Sequence, residues 1–518
     1  MSKVLLINPH WYMAQGNFDD LWLPIPNGLA SVAGALRQAG YQVAIVDSLA
    51  EGYMQREWQE KAGRRVCRVG LSQEALIKKI KEYDPSIIGI GNMFTSVFSG
   101  SVECAKIVRE ILPDSKIVMG GVHPSCSSEE VASITEIDYV ICGEGEAAFP
   151  ALVRYIEQSG EEKMPPGVCW SKNGKIMSSG APEIIADLDV LPGVAYDLLN
   201  MELYRNAAKT DLINRGARGA LTVPILTSRG CPYACIFCAA HKINGKRWRG
   251  RSPGRVVDEM ERLCRDYGVN SFTIEDSNFS SDEQRAILIC EEIIKRRLKI
   301  QWNMPNGLRA DRVTARLVNV MKRAGCSEIT LAAEHGDQEF LRRVLKKGLD
   351  LNDVLRATEM ILKEGLPVSC FLMMGFPGEK EKELAKTVAF GRRLALAGAL
   401  PIFFICSPLP GTEMYNTFMM SGCLPNKILD YEEYLCSFRA PIMNLPGNID
   451  FGSWRRRAMQ QAYFILLFRH PILFFRLPAM RKLMVALVSP QKFFAVLKKA
   501  YNQFAAKVEN KNSTKGMA

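Results

Sequence analysis

The sequence predicts an α/β protein made of two successive regions of alternating strands and helices, followed by a helical C-terminal region. In the first region, five short apolar segments alternate with helical patterns, and in the second, six do so. At 518 residues, the chain is long enough for two or three domains with a large buried core. The predicted divisions are 1–160, 161–215, 216–440 and 441–518.

The first region is predicted to be a parallel, doubly wound sheet. Its strand-like segments are 4–7, 43–46, 84–91, 116–121 and 139–142. A helix is predicted from Gly28 to Gly40, with Gly40 as its C-terminal cap. Ligands of such sheets bind outside the carboxyl ends of the strands, where this chain places glycines that allow close backbone approach. Neither G-x-G-x-x-G nor G-x-x-x-x-G-K-S/T is present, which argues against dinucleotide and P-loop sites.

The segment 161–215 is predicted to be a linker. Asn173-Gly174 lies between two short apolar runs, a pattern typical of a β-hairpin. We assign no chemistry to this segment.

The second region is predicted to be a (β/α) repeat of about six units, shorter than the eight of a full barrel. Its strand-like segments are 221–226, 271–274, 300–303, 328–332, 368–373 and 401–406. Helical patterns separate them, for example at 258–267, 282–297 and 315–324. Polar residues and glycines follow five of these strands, and five such strand ends in register indicate an active site at the C-terminal end of the barrel.

Three cysteines directly after the first strand of this region form the most specific motif, Cys231-x-x-x-Cys235-x-x-Cys238. Three thiols at this spacing can converge on one inorganic centre. A structural zinc site or a four-cysteine cluster would need a fourth ligand. The local set ends at three, which suggests a cubane with one open iron. A zinc loop with a distant fourth ligand and three ordinary buried thiols remain alternatives.

Composition restricts the compartment and the partners. The 15 cysteines are an odd number, and no secretory signal precedes the first strand, so we expect a reducing cytosol. The net charge of +11 is concentrated in residues 454–518, which hold thirteen Lys and Arg residues but one acid, Glu509. The rest of the chain is near neutral, and we expect no nucleic-acid partner.

The C-terminal region, 441–518, is basic and aromatic but contains no uncharged apolar run of the length that spans a bilayer. Phe493, Leu497, Tyr501 and Phe504 recur at helical spacing beside lysines, a pattern that can bind an anionic membrane surface. The alternative, which we favour slightly, is a helical cap that packs on the barrel.

The cysteine motif, with Phe237 just before its last thiol, resembles the radical S-adenosylmethionine (SAM) superfamily. The ordered segments 24–30, 120–124 and 143–146 of the first region resemble the cobalamin-binding domain that precedes many radical SAM domains. The resemblance implies a Rossmann-like cobalamin domain followed by a partial (β/α)6 barrel. It also implies three cofactors, a [4Fe–4S] cluster on Cys231, Cys235 and Cys238, SAM on the open iron, and cobalamin.

The resemblance also implies site residues. Glu334 corresponds to the family's ribose-contacting Glu, which Ser-Gly usually follows; here His335 replaces that Ser and either reaches substrate or caps the next helix, which we favour. The SAM candidates are Glu275, Asn306, Arg309, Glu334, Gly375, Gly378 and Ser407, with Arg309 suited to a carboxylate. The catalytic candidates are Glu275, Asp276 and His335. The cobalamin candidates are Asn8, Pro9, Gly91, Gly120, Gly121, His123, Gly143 and Glu144.

Two histidines lie near the expected corrin. Cobalamin mutases and methionine synthase ligate cobalt through an Asp-x-His-x-x-Gly loop, and this chain has His10 in the corresponding loop without that motif. His123 follows the fourth strand and is expected near the corrin edge. The cobalt is therefore expected to lack a histidine ligand from the protein.

The resemblance implies a cobalamin-dependent enzyme that methylates an unactivated carbon. Cobalamin would take a methyl group from one SAM, and a second SAM on the cluster would yield the 5′-deoxyadenosyl radical that activates the substrate. We expect a small, hydrophobic substrate (a lipid or tetrapyrrole) between the two domains and an electron donor of the flavodoxin or ferredoxin type. A cytoplasmic protein with possible peripheral membrane contact is expected. The alternatives are a radical enzyme that cyclises, couples or oxidises without methyl transfer, and a non-catalytic cobalamin-binding sensor.

Overall fold

The first 210 residues contain ten strands and eight α-helices among the residues that the structure describes. The computed structural model describes residues 2–14, 22–61, 64–161, 163–210, 219–424 and 449–476. The strands are β1 (Lys3–Asn8), β2 (Trp11–Ala14), β3 (Gln42–Asp47), β4 (Arg56–Lys61), β5 (Arg64–Val69), β6 (Ile87–Gly91), β7 (Lys116–Gly120), β8 (Tyr139–Ile141), β9 (Val168–Lys172) and β10 (Lys175–Ser178). The helices are α1 (Asn27–Gln38), α2 (Ser48–Glu51), α3 (Gln73–Tyr83), α4 (Phe98–Ile111), α5 (Val122–Cys126), α6 (Ser128–Ala132), α7 (Gly145–Glu157) and α8 (Met201–Thr210).

Seven of these strands form one sheet in the order β10-β9-β8-β7-β6-β1-β3. The strands β3, β1, β6, β7 and β8 run parallel, and all five predicted strands are confirmed to within a few residues. The predicted hairpin is confirmed as β9–β10, with φ of 52° at Asn173 and 74° at Gly174. It lies in the predicted linker, yet it extends the sheet by pairing antiparallel with β8.

A second, antiparallel sheet in the order β2-β5-β4 was not predicted from the sequence. Strand β4 has the sequence Arg-Glu-Trp-Gln-Glu-Lys and is mostly exposed, so it lacks the apolar alternation that identifies a strand. Strand β2 begins three residues after β1 ends, and it carries Trp11 and Tyr12 into the core. The sheet therefore lies next to the carboxyl end of β1.

The second region is a partial barrel whose six predicted strands are all confirmed. Its strands are β11 (Thr222–Ile225), β12 (Ser228–Arg229), β13 (Arg249–Gly250), β14 (Ser271–Ile274), β15 (Gln301–Asn303), β16 (Ile329–Glu334), β17 (Val368–Met374) and β18 (Leu400–Ile405). Parallel pairing runs β11-β14-β15 and β16-β17-β18. The bridges Trp302↔Cys326 and Leu308↔Leu331, also parallel, join the two halves. The two-residue strands β12 and β13 form a separate antiparallel ribbon.

Helices follow the strands of this barrel along the chain. They are α9 (Ala240–Asn244), α10 (Pro253–Tyr267), α11 (Glu283–Lys295), α12 (Ala315–Arg323), α13 (Gln338–Arg343), α14 (Leu351–Lys363), α15 (Glu381–Ala397) and α16 (Glu413–Met420). Helix α10 shows the pattern, burying Val256, Met260 and Leu263 at helical spacing. Because the barrel strands run parallel, their carboxyl ends lie at the same end of the barrel.

The C-terminal helices are α17 (Phe451–Arg469) and α18 (Pro471–Arg476). Helix α17 buries Ala458, Ala462 and Leu466 at helical spacing, and Arg455 Nε donates to the Phe403 carbonyl of β18 at 2.8 Å. The favoured prediction of a cap on the barrel is confirmed for this segment. The predicted amphipathic segment 493–504 lies outside the described residues. Among the helices that the structure describes, none has the length and apolar character needed to cross a bilayer.

Candidate functional site

The three cysteines lie in a loop whose two ends are held together by the β12–β13 ribbon. Ser228 pairs with Gly250, and Arg229 pairs with Arg249. Inside the loop, Cys238 N donates to Cys235 O at 3.1 Å, and Cys231 N donates to Gly245 O at 3.3 Å. The loop is thus a closed unit rather than an open strand connection.

Glycine is required at the entrance of this loop. Gly230 has φ of 85°, and a Cβ there would lie 2.1 Å from the Arg247 carbonyl oxygen. Any other residue would be strained and would also collide with the opposite side of the loop. The tight closure brings the three thiols of one short segment into the same region.

Burial makes two of these thiols, those of Cys235 and Cys238, poor anions on their own. It raises the pKa of the Cys235 thiol to about 11 and also raises that of Cys238. A thiolate at neutral pH therefore needs a bound cation, which iron supplies. No three His, Cys, Asp or Glu side chains within the described ranges are arranged around a single metal ion. A cubane is bound differently, because each thiolate takes a different iron.

Arg309 lies against the cysteine loop but is already occupied. Its guanidinium carbon is 3.6 Å from the centroid of the Tyr233 ring, a cation–π contact within the loop's first turn. Its nitrogens donate twice to Asp311 at 3.0 Å and once to the Gly348 carbonyl at 2.7 Å. The structure therefore supports a role in holding the cysteine loop. The predicted contact with the SAM carboxylate stays a prediction.

Glu334 and Lys347 form a buried ion pair that faces the cysteines. Lys347 Nζ lies 3.0 Å from Glu334 Oε1, and both charges act on the pKa values of Cys235 and Cys238. Glu334 has φ of 71° at a bulge in β16, a strained conformation for a residue with a side chain. Lys347 was missed in the sequence because it follows helix α13 rather than a strand.

His335 is buried and uses both ring nitrogens within the protein. Asp337 N donates to Nδ1 at 3.1 Å, so the proton lies on Nε2, which is 3.0 Å from Glu379 Oε1. The other oxygen of Glu379 accepts from Gly375 N at 2.6 Å and Phe376 N at 3.0 Å. The prediction that His335 caps the next helix is wrong, because the N-cap of α13 is Asp337. This arrangement supports a positioning role for His335 behind the glycine loop rather than contact with substrate.

The other barrel candidates divide into buried and accessible groups. Asp276 is buried and accepts from Thr227 N, Thr227 Oγ1 and Ser228 Oγ at 2.5–2.6 Å, so it anchors the segment that leads into the cysteine loop. Burial raises its pKa. Glu275 is partly exposed and accepts from Asn306 Nδ2 at 3.0 Å. The Ser407 hydroxyl is buried with no hydrogen-bond partner within the described ranges, so it is available to a ligand.

The glycine loop after β17 combines with these groups. Gly375 and Gly378 have φ of 92° and 73°, and a Cβ at Gly378 would meet no atom within 4 Å. Cys406 Sγ lies 2.6 Å from the Gly375 carbonyl and fixes the loop to the end of β18. Strands β16, β17 and β18 are neighbours in one sheet. Their carboxyl ends carry Glu334, Gly375 with Gly378, and Ser407, respectively.

The predicted cobalamin edge of the N-terminal sheet is almost free of side chains. Gly91 of β6 and Gly120 of β7 pair directly, and a Cβ at Gly120 would have its nearest neighbour at 3.7 Å. Gly121 has φ of 125°, and a Cβ there would lie 2.2 Å from the Asn92 carbonyl oxygen. A bare backbone edge of this kind fits a large flat ligand such as a corrin.

The histidines at this edge are turned into the fold. His123 is fully buried, with Nδ1 3.3 Å from Thr95 Oγ1 and its ring centroid 4.2 Å from that of Phe98. His10 is also fully buried; its Nδ1 lies 3.1 Å from Arg68 Nη2 and its Nε2 3.4 Å from Glu103. These positions support the prediction that neither histidine ligates cobalt.

The cobalamin candidates Asn8 and Pro9, at the end of β1, contact other residues of the first domain. Asn8 Nδ2 donates to Asp47 Oδ1 at 2.8 Å, and the Tyr204 hydroxyl donates to the other oxygen of Asp47. Burial raises the pKa of Asp47 to about 6. Pro9 is buried beside them. Their predicted contacts with cobalamin stay predictions.

The turn after β8 connects the two regions. Glu144 forms two hydrogen bonds with Arg249, at 2.7 and 3.0 Å, and Glu146 lies 2.5 Å from Arg229 Nη2. Gly143, with φ of 78°, packs so closely that a Cβ would lie 2.8 Å from Pro182 Cβ. Both carboxylate oxygens of Glu144 accept hydrogen bonds from Arg249. The sequence did not reveal Arg249 and Arg229 as partners, because each lies more than 80 residues from the glutamate that it contacts.

Comparison with known proteins agrees with both regions. The sequence profile of the Radical SAM superfamily matches residues 225–391, and that of the B12 binding domain matches residues 23–153. The chain is 31% identical to the uncharacterized methyltransferase PH0819 of Pyrococcus horikoshii over 77% of its own length and 79% of the relative's. It is 27% identical to the cytidylyl-2-hydroxyethylphosphonate methyltransferase of Streptomyces wedmorensis, over 88% and 91% of the two chains.

The fold is shared with a solved structure. The radical SAM methyltransferase TsrM from Kitasatospora setae superposes with a TM-score of 0.65 at 18% identity, covering 90% of this chain and 89% of that one.

Proposed function

This chain belongs to the radical SAM superfamily and carries a B12 binding domain, and we propose that it methylates an unactivated carbon of a small-molecule substrate. Membership of the superfamily implies a [4Fe–4S] cluster and SAM, and the B12 binding domain implies cobalamin. The observation that carries the proposal is the contact between the turn after β8 and the base of the cysteine loop, through Glu144 and Arg249. It holds the turn at the glycine edge of one domain against the base of the cysteine loop of the other.

When bound, the cluster with SAM supplies a 5′-deoxyadenosyl radical and cobalamin supplies a methyl group. The chain's own residues bind and orient. Cys231, Cys235 and Cys238 would hold three irons. The Glu334 and Lys347 pair offers an acceptor for ribose hydroxyls and a cation for a carboxylate, and the pairing keeps both side chains in place before SAM enters.

The glycine loop would receive the adenosine. The Glu379 carboxylate holds the N–H groups of Gly375 and Phe376, so the conformation of the loop does not depend on bound ligand. The Ser407 hydroxyl supplies a free polar group at the neighbouring strand end. We assign the general positioning of SAM to these residues, and we assign no proton-transfer role to Asp276 or His335 because each is buried and hydrogen-bonded within the protein.

We further propose a hydrophobic substrate, of lipid or tetrapyrrole type, and a flavodoxin- or ferredoxin-type electron donor. Met93 supports an apolar substrate, because it follows β6 at the glycine edge with 59% of its surface exposed. Phe464, Phe468 and Ile472 are exposed on the C-terminal helices and suit peripheral contact with a membrane. In this proposal the cytoplasmic face of a membrane supplies the substrate.

Two products of SAM distinguish the candidate chemistries. Anaerobically reconstituted protein with cluster, hydroxocobalamin and a reductant is incubated with SAM, and S-adenosylhomocysteine and 5′-deoxyadenosine are both measured. Methyl transfer through cobalamin predicts both products, and Cys235→Ala should lose 5′-deoxyadenosine. Formation of 5′-deoxyadenosine alone would favour a radical enzyme without methyl transfer, and formation of neither would favour a sensor.

Methyl-labelled SAM identifies the acceptor. Cell extract treated with reconstituted protein and deuterated-methyl SAM should contain a compound whose mass increases by one labelled methyl group. Extract treated with the Cys235→Ala variant is the control. A SAM-dependent product with no added methyl group would contradict the proposal.

A further inference from the structure

Four charged residues form a buried network between the two domains. Arg229 and Arg249 face each other across the β12–β13 ribbon, at the base of the cysteine loop. Glu144 ends the turn that follows β8, and Glu146 lies in the first turn of the next helix, α7, at the glycine edge. Arg249 is bidentate to Glu144, Arg229 lies 2.5 Å from Glu146, and a further contact of 3.6 Å joins Arg229 to Glu144.

All four side chains are shielded from water. The exposed fractions are 11% for Arg229, 3% for Arg249, 1% for Glu144 and 5% for Glu146. Burial alone would raise the pKa of Glu146, but the charge of Arg229 and its hydrogen bonds outweigh burial and lower it. In such surroundings the charge-assisted contacts are strong and directional.

Further hydrogen bonds extend the network to two more segments. Ser31 of α1 donates to Glu146 at 2.7 Å. Ile185 N donates to Glu144 at 2.9 Å, and Arg249 also donates to the Asn244 carbonyl at 2.7 Å. The network therefore connects the first helix, the glycine edge, the interdomain connection and the cysteine loop.

Stability alone does not account for four charges at this place. Buried ion pairs are frequently no more stabilising than apolar residues of similar size, because desolvation offsets the attraction. Buried ion pairs instead fix the position of one domain relative to the other, since the bidentate contact between Arg249 and Glu144 tolerates little displacement. A domain contact made of apolar side chains would permit sliding.

We propose that Arg229, Arg249, Glu144 and Glu146 act as positioning residues that set the distance between the cobalamin edge and the cysteine loop. The inference rests on the proposed function in requiring that both cofactors bind. The distance matters because a carbon radical generated beside the cluster must meet the methyl group at the corrin without escaping.

Pulsed electron paramagnetic resonance on the holoenzyme tests this directly. Cobalt(II) and the reduced cluster are both paramagnetic, so their dipolar coupling reports the distance distribution between them without substrate. We expect a narrow distribution in the wild type. Glu146→Gln and Arg249→Lys should keep wild-type cobalt and iron content while the distribution at least doubles in width. Arg109→Lys, which weakens the Arg109–Asp138 pair within the first domain, is the matched control and should leave it unchanged.

Three results would overturn the inference. An unchanged distribution in both variants would show that the network does not set the spacing. Loss of a cofactor from both variants would show that the residues serve binding rather than spacing. A wild type that binds only one of the two cofactors would overturn the proposed function together with the inference, which separates that failure from the other two.

Discussion

The two strand edges that meet at the candidate site are built in opposite ways. The N-terminal edge exposes backbone at Gly91 and Gly120, and its histidines are turned into the fold. The barrel edge carries charged side chains, and each is held by a partner, as in the pairs Glu334–Lys347 and Glu379–His335. A large flat cofactor needs unobstructed backbone, whereas a small zwitterion needs charges that are already oriented.

The contrast extends to what each edge contributes by itself. At the N-terminal edge, the polar candidates Asn8 and Glu144 are engaged with Asp47 and Arg249, so we expect the corrin to be recognised through shape and backbone. At the barrel edge, we expect specificity for SAM to come from side chains. Substitutions should therefore be tolerated very differently on the two sides.

The largest effect is expected at the cysteine loop. Cys235→Ala removes one of three ligands and should abolish cluster binding and cleavage of SAM, because the remaining thiols cannot hold a cubane with one open iron. Loss of the cluster is measured by iron and sulfide analysis and by the electron paramagnetic resonance spectrum of the reduced protein. Cys264→Ala, a partly exposed cysteine of α10, is the control. A Cys235→Ala protein with a wild-type cluster would refute the ligand assignment.

The next largest effect concerns the clamp behind the glycine loop. Glu379→Ala leaves Gly375 N, Phe376 N and His335 Nε2 without their acceptor, which should cost about 3 kcal/mol of unfolding free energy and weaken SAM binding. Chemical unfolding and equilibrium binding of SAM to the reconstituted protein check both effects. Glu381→Ala, at an exposed position in the first turn of the following helix α15, should change neither. Equal effects of both substitutions would argue against the clamp.

A pH effect on stability is expected from His123 at the N-terminal edge. Burial lowers the pKa of His123 to about 4, below its usual 6.5, so the unfolded chain binds the proton first. Stability from this group is complete above pH 6.5 and falls as the pH drops toward 4. The loss at pH 5 is about 2 kcal/mol. Unfolding of the apoprotein at pH 7 and pH 5 should show a loss that His123→Gln reduces. The same pH dependence in both proteins would contradict it.

A smaller effect is expected for the cation beside the cysteines. Arg309→Lys loses the double contact with Asp311 and the stacking on Tyr233, at a cost of about 1–2 kcal/mol. The loop should then bind the cluster less tightly, which the rate of iron release to a chelator measures. Arg316→Lys, at an exposed position on α12, provides the control. Equal rates of release from the two variants would exclude a specific role for Arg309.

The smallest effect is expected for His10 at the N-terminal edge. His10→Gln should leave the electron paramagnetic resonance spectrum of bound cob(II)alamin unchanged, because His10 faces Arg68 and Glu103. The wild-type spectrum should show no nitrogen splitting from a protein histidine. Splitting that disappears in the variant would place His10 on cobalt.

Much of this organisation was predictable from local pattern. The five parallel strands of the first sheet and the six predicted strands of the barrel appear as apolar runs bounded by glycine or polar residues, and the cysteine spacing is contained within eight residues. The small sheet β2-β5-β4 was not, because the polar strand β4 carries no apolar alternation. Its pairing depends on neighbours that a sequence window does not contain.

The partners of the candidate residues were not predictable in the same way. His335 and Glu379, Glu334 and Lys347, and Glu144 and Arg249 are each separated in sequence and meet only after the domains fold. A carboxylate at a strand end can face a ligand or a neighbouring arginine, and both options have the same local sequence.

The sequence by itself therefore determined the order of strands and helices, the thiol trio and the glycine edge, because hydrophobic periodicity and backbone conformation are local properties. The tertiary structure alone decided which charges face the cysteines and which join the domains. The physical reason is that a buried charge requires a counter-charge, and that partner is chosen by chain segments that approach from far away in the sequence.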